Sequence, residues 1–178
     1  MKVLNLFFSA TGNTEKVARQ IDQAIRETGY EVERIQVSKD LDVDLLAYDF
    51  VVVGSGVYMW LPGKPMLEFI NKVRERYAAA GEIKPASPRR PHKKAVVYCT
   101  FGGAHTGKNE AVPVVKYMGQ LFDHLGFEII GEWYVVGEFL GGNLQHLSLN
   151  GRLGNIQGRP NEADLQEVTQ KVTGILQV

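Results

Sequence analysis

Ser9-Ala10-Thr11-Gly12-Asn13-Thr14 places three hydroxyls, one carboxamide and a run of backbone N–H groups between a short apolar run, Val3 to Phe8, and a helix start. Donors at a helix N-terminus, together with the helix dipole, attract phosphate. No lysine or arginine lies inside the loop, so the anion would be held by neutral donors, which suits the terminal monophosphate of a cofactor. An ordinary helix cap also uses Thr or Asn, so residue types alone leave that reading open.

Two further clusters follow apolar runs. In Gly54-Ser55-Gly56-Val57-Tyr58-Met59-Trp60, the glycines let a ring approach the backbone, and Tyr58 and Trp60 offer flat faces for stacking. In Thr100-Phe101-Gly102-Gly103-Ala104-His105, backbone groups could meet the polar edge of a heterocycle, with Phe101 over its other face. His105 reads as a solvated loop histidine and Cys99 as a packed thiol. Gly102 to Lys108 spells most of a nucleotide-binding P-loop, but Asn109 stands where a magnesium-binding hydroxyl is required. No residue is given a catalytic role, and no metal-ligating set is found.

The elements that would position these clusters alternate. Strands are expected at Val3 to Phe8, Glu31 to Val37, Phe50 to Val53, Ala95 to Cys99 and Phe127 to Val136. Helical spacing marks Val17 to Ile25, Pro65 to Tyr77, Val112 to Leu125 and a last helix opened by Asn161 after Pro160. The stretch from Ser38 to Asp49 has poor periodicity. This order predicts an α/β fold, a parallel sheet covered on both faces with all β-to-α loops at one edge, where open sheets bind ligands. Two long segments exceed that plan: Ala78 to Lys94, with a basic cluster from Lys84 to Lys94, and Gly137 to Arg159, rich in Gly, Asn and Gln. The basic cluster reads as a solvated loop. The second segment is expected either to lid the ligand or to build a homodimer contact.

The 178 residues suit one domain, 1–178. Lys plus Arg equals Asp plus Glu at 20 each, so no global charge points to nucleic acid or a membrane surface. No stretch has the apolar length of a membrane span, and no signal peptide is evident. Cys99 is the only cysteine, which excludes an intrachain disulfide and leads to the expectation of a reducing, cytoplasmic setting.

The string Ser9 to Thr14, directly after the first strand, resembles the Ser/Thr-x-Thr-Gly-Asn-Thr phosphate loop of the flavodoxin family. Gly158-Arg159-Pro160-Asn161-Glu162 resembles the Gly-Arg-Pro-x-Glu lead-in to that family's last helix. The resemblance spans nearly the whole chain. It implies a flavodoxin-like three-layer sandwich on a five-stranded parallel sheet of order 2-1-3-4-5, with FMN at the carboxyl edge. Ser9, Thr11, Gly12, Asn13 and Thr14 would hold its phosphate. Ser55, Gly56, Val57, Tyr58, Met59 and Trp60, with Thr100, Phe101, Gly102 and Gly103, would bind the ring, and Tyr58 would stack on it. The implied role is electron transfer, as a carrier serving a redox partner protein or as an oxidoreductase using a small acceptor such as a quinone or porphyrinogen. Two departures stand out. The chain is neutral where electron carriers of the family are acidic. Met59 stands where many members have a glycine whose peptide turns over, and a non-glycine is expected to resist positive φ there. A flavin-free phosphate-binding or signalling domain on the same fold is the alternative, but the acidic magnesium cluster of receiver domains is missing after the first strand, where Phe8-Ser9-Ala10 stands.

Overall fold

The structure, a computed structural model, describes residues 1–177. In chain order the elements are β1 (Val3–Phe8), α1 (Asn13–Glu27), β2 (Val32–Gln36), β3 (Phe50–Tyr58), β4 (Leu61–Pro62), α2 (Lys64–Ala79), β5 (Lys94–Phe101), α3 (Val112–His124), β6 (Glu128–Val136), α4 (Leu147–Asn150) and α5 (Glu162–Leu176). The long strands pair in parallel in the order β2-β1-β3-β5-β6, which counted along the chain is 2-1-3-4-5. The short β4 runs back antiparallel on the end of β3.

The central strands are apolar at successive positions because both sheet faces are covered. Leu4, Leu6, Val51, Val53, Ala95 and Val97 face α2 and α3, where Met66, Ile70, Val73, Val115, Met118 and Phe122 meet them. Val3, Val52, Val96, Tyr98 and Trp133 face α1 and α5, against Val17, Ile21, Ile25, Leu165, Val168 and Val172. The two-residue alternation of a pleated strand produces this partition.

Besides the short β4 and α4, which were not expected, the observed elements differ from the expected ones at the ends of β3 and β5. β3 does not close at Gly54-Ser55-Gly56: Ser55 pairs with Cys99 and Gly56 with Thr100, and the strand continues to Tyr58. A Cβ on Gly54 would lie 2.0 Å from Cζ of Tyr98, so this glycine seats a ring within the sheet instead of ending the strand. β5 likewise includes Thr100 and Phe101. Ser38 to Asp49 holds only a 3₁₀ turn, Leu45–Ala47, capped by the Asp44 carboxylate and braced by the Tyr77 hydroxyl, which accepts from Leu45 N at 2.7 Å.

Because the strands are parallel, the loops after β1, β3, β5 and β6 share one edge of the sheet. The basic segment precedes β5 and lies at the opposite edge. There Arg90 pairs with Glu82 and donates to Leu125 O, and Lys93 donates to Tyr48 O, so part of its charge serves local structure.

Candidate functional site

β1 ends at Phe8 and the chain turns through Ser9 to Gly12. The Gly12 N–H donates to Ser9 Oγ at 3.1 Å, and Gly12 has φ 102°, a left-handed conformation that suits glycine. α1 begins at Asn13 without a side-chain cap, and its first internal bond runs from Lys16 N to Gly12 O at 2.9 Å. The N–H groups of Asn13, Thr14 and Glu15 therefore have no intrahelical acceptor, and they stand at the positive end of a 15-residue helix. Thr14 Oγ1 and Thr100 Oγ1 are buried and 2.7 Å apart, a hydrogen bond that locks the first loop to the end of β5.

The second wall is the β3–β4 hairpin. Its turn residues Met59 and Trp60 have φ 48° and 66°, both positive, as in the mirror-image turns that suit tight hairpins. The expectation that Met59 resists positive φ is thus corrected: strand pairing on both sides, Val57 with Pro62 and Tyr58 with Leu61, imposes it. Met59 is 84% exposed and Trp60 60%, at the tip. The Tyr58 ring packs over Gly56 and Gly63, with its phenol beside the Ala10 backbone N–H. Burial pushes the phenol's pKa up, and that N–H draws it partly back.

The third wall is Thr100, Phe101 and Gly102, and the fourth is the start of the long segment after β6. Gly137 N donates to Phe101 O at 2.9 Å, and the Phe139 ring packs on Gly102, where a Cβ would lie 2.2 Å from it. Together these walls enclose a cavity of about 480 Å³. It is lined by Thr11, Asn13, Thr14, Gly56, Val57, Tyr58, Met59, Thr100, Phe101 and Gly102, with Gly137, Glu138, Phe139, Leu140, Gly141 and Leu144.

Ten of the fifteen residues picked from the sequence thus line one cavity; Ser9, Gly12, Ser55, Trp60 and Gly103 do not. Ser9 and Gly12 shape the first loop through the hydrogen bond between them. Ser55 is buried, its hydroxyl accepting from Gly63 N at 3.0 Å and donating to Gly56 O, so it braces the hairpin from behind. Gly103, at φ 53°, accepts from Gly107 N within its own loop. Phe101 is buried in the core against α2 and α3, and the aromatic ring laid across this edge is that of Phe139. Residue-level reading missed Phe139, Leu140 and Leu144; an aromatic beside paired glycines, as at Tyr58, was the available signal.

The near P-loop is accounted for: the Lys108 ammonium sits 4.2 Å from the centroid of the Tyr134 ring. The exposed His105 and its neighbour Thr106 donate backbone N–H groups to Glu110, which fixes the loop. Cys99 is buried, and burial pushes its thiol well above the ordinary range. Among the described residues no cluster suited to a metal ion occurs, and no helix is long and apolar enough to cross a membrane. A hollow of about 600 Å³ at the opposite edge, beside the C-terminal end of α3, is lined by Lys84, Arg89, Asp123 and His124 and lacks the helix N-terminus of the first site.

The Flavodoxin_5 family model, a flavodoxin domain, matches residues 4–83, from β1 past the hairpin to just beyond α2. The uncharacterized protein MJ0298 of Methanocaldococcus jannaschii is 29% identical over 99% of both chains. Among solved structures, a mutant flavodoxin from Pseudomonas aeruginosa superposes with a TM-score of 0.69 at 15% identity over all of both chains. Oxidised Flavodoxin 2 from Bacillus cereus gives 0.67 at 16% identity over 99% of both. At these identities the solved structures establish a shared fold.

Proposed function

Starting from a flavodoxin-like chain, which its fold and its family match make it, we propose that the protein holds FMN in the 480 Å³ cavity and transfers electrons through it. One observation carries the reading. Two residues whose N–H groups lack helix partners, Asn13 and Thr14 at the positive end of α1, line the same cavity as a glycine-lined slot between two strand ends. A phosphate needs the first feature and a flat heterocycle needs the second.

In this reading the N–H groups of Asn13, Thr14 and Glu15, with the Thr11 hydroxyl, receive the phosphate. The absence of lysine and arginine from the loop suits a terminal monophosphate. Gly56, Val57 and Tyr58 form one side of the ring site and Thr100 to Gly102 the other, while Phe139, Leu140 and Leu144 keep water from the third. When bound, FMN supplies one- and two-electron chemistry, and the chain supplies binding, orientation and access. The Thr14–Thr100 bond keeps the phosphate and ring sites in register.

Neutral net charge and the apolar lips Met59, Trp60, Leu140 and Leu144 favour a small apolar acceptor, such as a quinone, over long-range steering of a charged partner protein. The test is an absorption spectrum of the purified protein with and without added FMN, followed by stepwise anaerobic reduction. Bound flavin bands that bleach on reduction support the reading, and failure to bind FMN refutes it. A steady-state screen with nicotinamides and quinones then separates the roles: turnover without a protein partner identifies an enzyme, and its absence a carrier.

A further inference from the structure

We infer that the Asn13 side chain is a positioning group: it clamps the segment after β6 over the cavity and leaves the phosphate to the backbone of the same loop. The inference rests on the FMN reading above. Asn13 Nδ2 donates to Glu138 O at 2.8 Å, across 125 positions of chain. The approach is close on both sides. A Cβ on Gly137 would lie 2.8 Å from Asn13 Nδ2, so the segment's backbone rests directly on the amide. Glu138 is held from behind as well: its N–H donates to Arg159 O at 2.9 Å, and Arg159 is fixed by Asp164 of α5, with Nε 2.6 Å from Oδ2.

The rest of the segment is built outward from this point. Phe139 N donates to the buried Ser148 Oγ at 2.8 Å, and Ile156 N donates to Ser148 O, which folds the segment on itself. Arg152 N donates to Ala104 O, seating its far end on the loop after β5. Among the described residues, the Asn13–Glu138 bond is the hydrogen bond that joins this wall to the first loop.

One residue thus faces two ways. Its backbone N–H stands at the N-terminus of α1, where an anion is favoured, and its carboxamide holds the wall. An anion that orders the loop steadies the wall, and the wall in place slows departure of the cofactor. Occupancy and closure are linked, and by reciprocity each strengthens the other.

The experiment compares wild type with Asn13→Ala, Asn13→Asp and Gly137→Ala. The aspartate presents an acceptor to the Glu138 carbonyl, and the alanine at 137 displaces the Asn13 amide without altering its chemistry. Three quantities are read: the FMN dissociation rate, the inhibition constant of inorganic phosphate against FMN, and the rate of trypsin cleavage after Arg152, an exposed site within the wall. Loss of one hydrogen bond sets the scale, so each variant is expected to release FMN about tenfold faster. Each is also expected to be cleaved at Arg152 several-fold faster, and the uncharged variants Asn13→Ala and Gly137→Ala to retain the wild-type phosphate constant; Asn13→Asp adds a carboxylate beside the anion site and is read by cleavage. FMN is expected to slow that cleavage in wild type. A weaker phosphate constant with unchanged cleavage in Asn13→Ala would make Asn13 a phosphate ligand and overturn the inference. If wild type takes no FMN, the reading of the site fails and the linkage with it. Cleavage at Arg152 that fails to quicken in Asn13→Asp refutes the clamp with or without flavin.

Discussion

Tyr98 is fully buried, its ring passing over Gly54, and its hydroxyl has no hydrogen-bond partner among the described residues. The same holds for Oδ1 of Asn5, whose amide group is nevertheless engaged with Ala18 O and Asp22. A buried hydroxyl without a partner costs desolvation and returns nothing, so its removal is neutral or favourable. Tyr98→Phe is therefore expected to keep or raise stability, by up to about 1–2 kcal/mol, measured as the urea midpoint at unchanged slope. A lowered midpoint would refute this. Gly54 also illustrates where residue-level reading stops. Its type was legible as a place where something approaches the backbone, but the approaching group sits on another strand, and local pattern carries no sign of it. Ser55 and Phe101 illustrate the same limit: Ser55 accepts from Gly63 N behind the hairpin, and Phe101 joins the buried core while also lining the cavity, arrangements that arise only on folding. The loop from Thr11 to Thr14 was legible because its pattern is local, a helix start directly after a strand.

Among the elements, the β3–β4 hairpin carries visible strain. Two consecutive non-glycine residues at positive φ each cost about 1–2 kcal/mol against ordinary backbone. Replacing Met59-Trp60 by Asn-Gly, the pair that mirror-image turns favour, is expected to stabilise the protein by about 1 kcal/mol or more, read as a higher urea midpoint. No gain would mean that the exposed Met59 and Trp60 side chains offset the backbone cost. Element order and the last helix cap were readable from periodicity and capping chemistry, whereas the sheet order was implied by the family resemblance. The Asn161–Asp164 capping box of α5 is the clearest case. The carboxyl ends of β3 and β5 were not readable, because glycine and threonine beyond an apolar run signal a loop locally while sheet pairing extends the strand through them.

For the molecule as a whole, 20 basic and 20 acidic residues leave no net field, so the dependence of stability on pH traces to particular groups. Two aspartates act in opposite directions. Burial opposes ionisation of Asp164, but the Arg159 hydrogen bond, the Asn161 N–H and the charges of Arg159 and Lys16 outweigh it, and its pKa falls below the ordinary 3.8. Its contribution is complete above 3.8 and is lost as pH falls through the depressed folded value. Asp22 is raised, chiefly by burial, against the pull of Asn5, Arg34 and Arg26. The folded state then holds its proton more tightly, so Asp22 favours folding increasingly as pH falls through its raised value towards 3.8. Urea midpoints of wild type and Asp164→Asn are expected to differ most above that value and to converge below it. Parallel curves would show that Asp164 does not titrate as described.

The bond between Asn13 and Glu138 also sets a clock on biosynthesis. At ribosomal speeds of roughly 5–20 residues per second, the two partners leave the exit tunnel about 6–25 seconds apart. During that interval the first loop has emerged but the wall that would retain a cofactor does not yet exist. On the reading proposed above, retention of a cofactor would follow synthesis of the chain through this wall, and a nascent chain stalled before β6 would lack it.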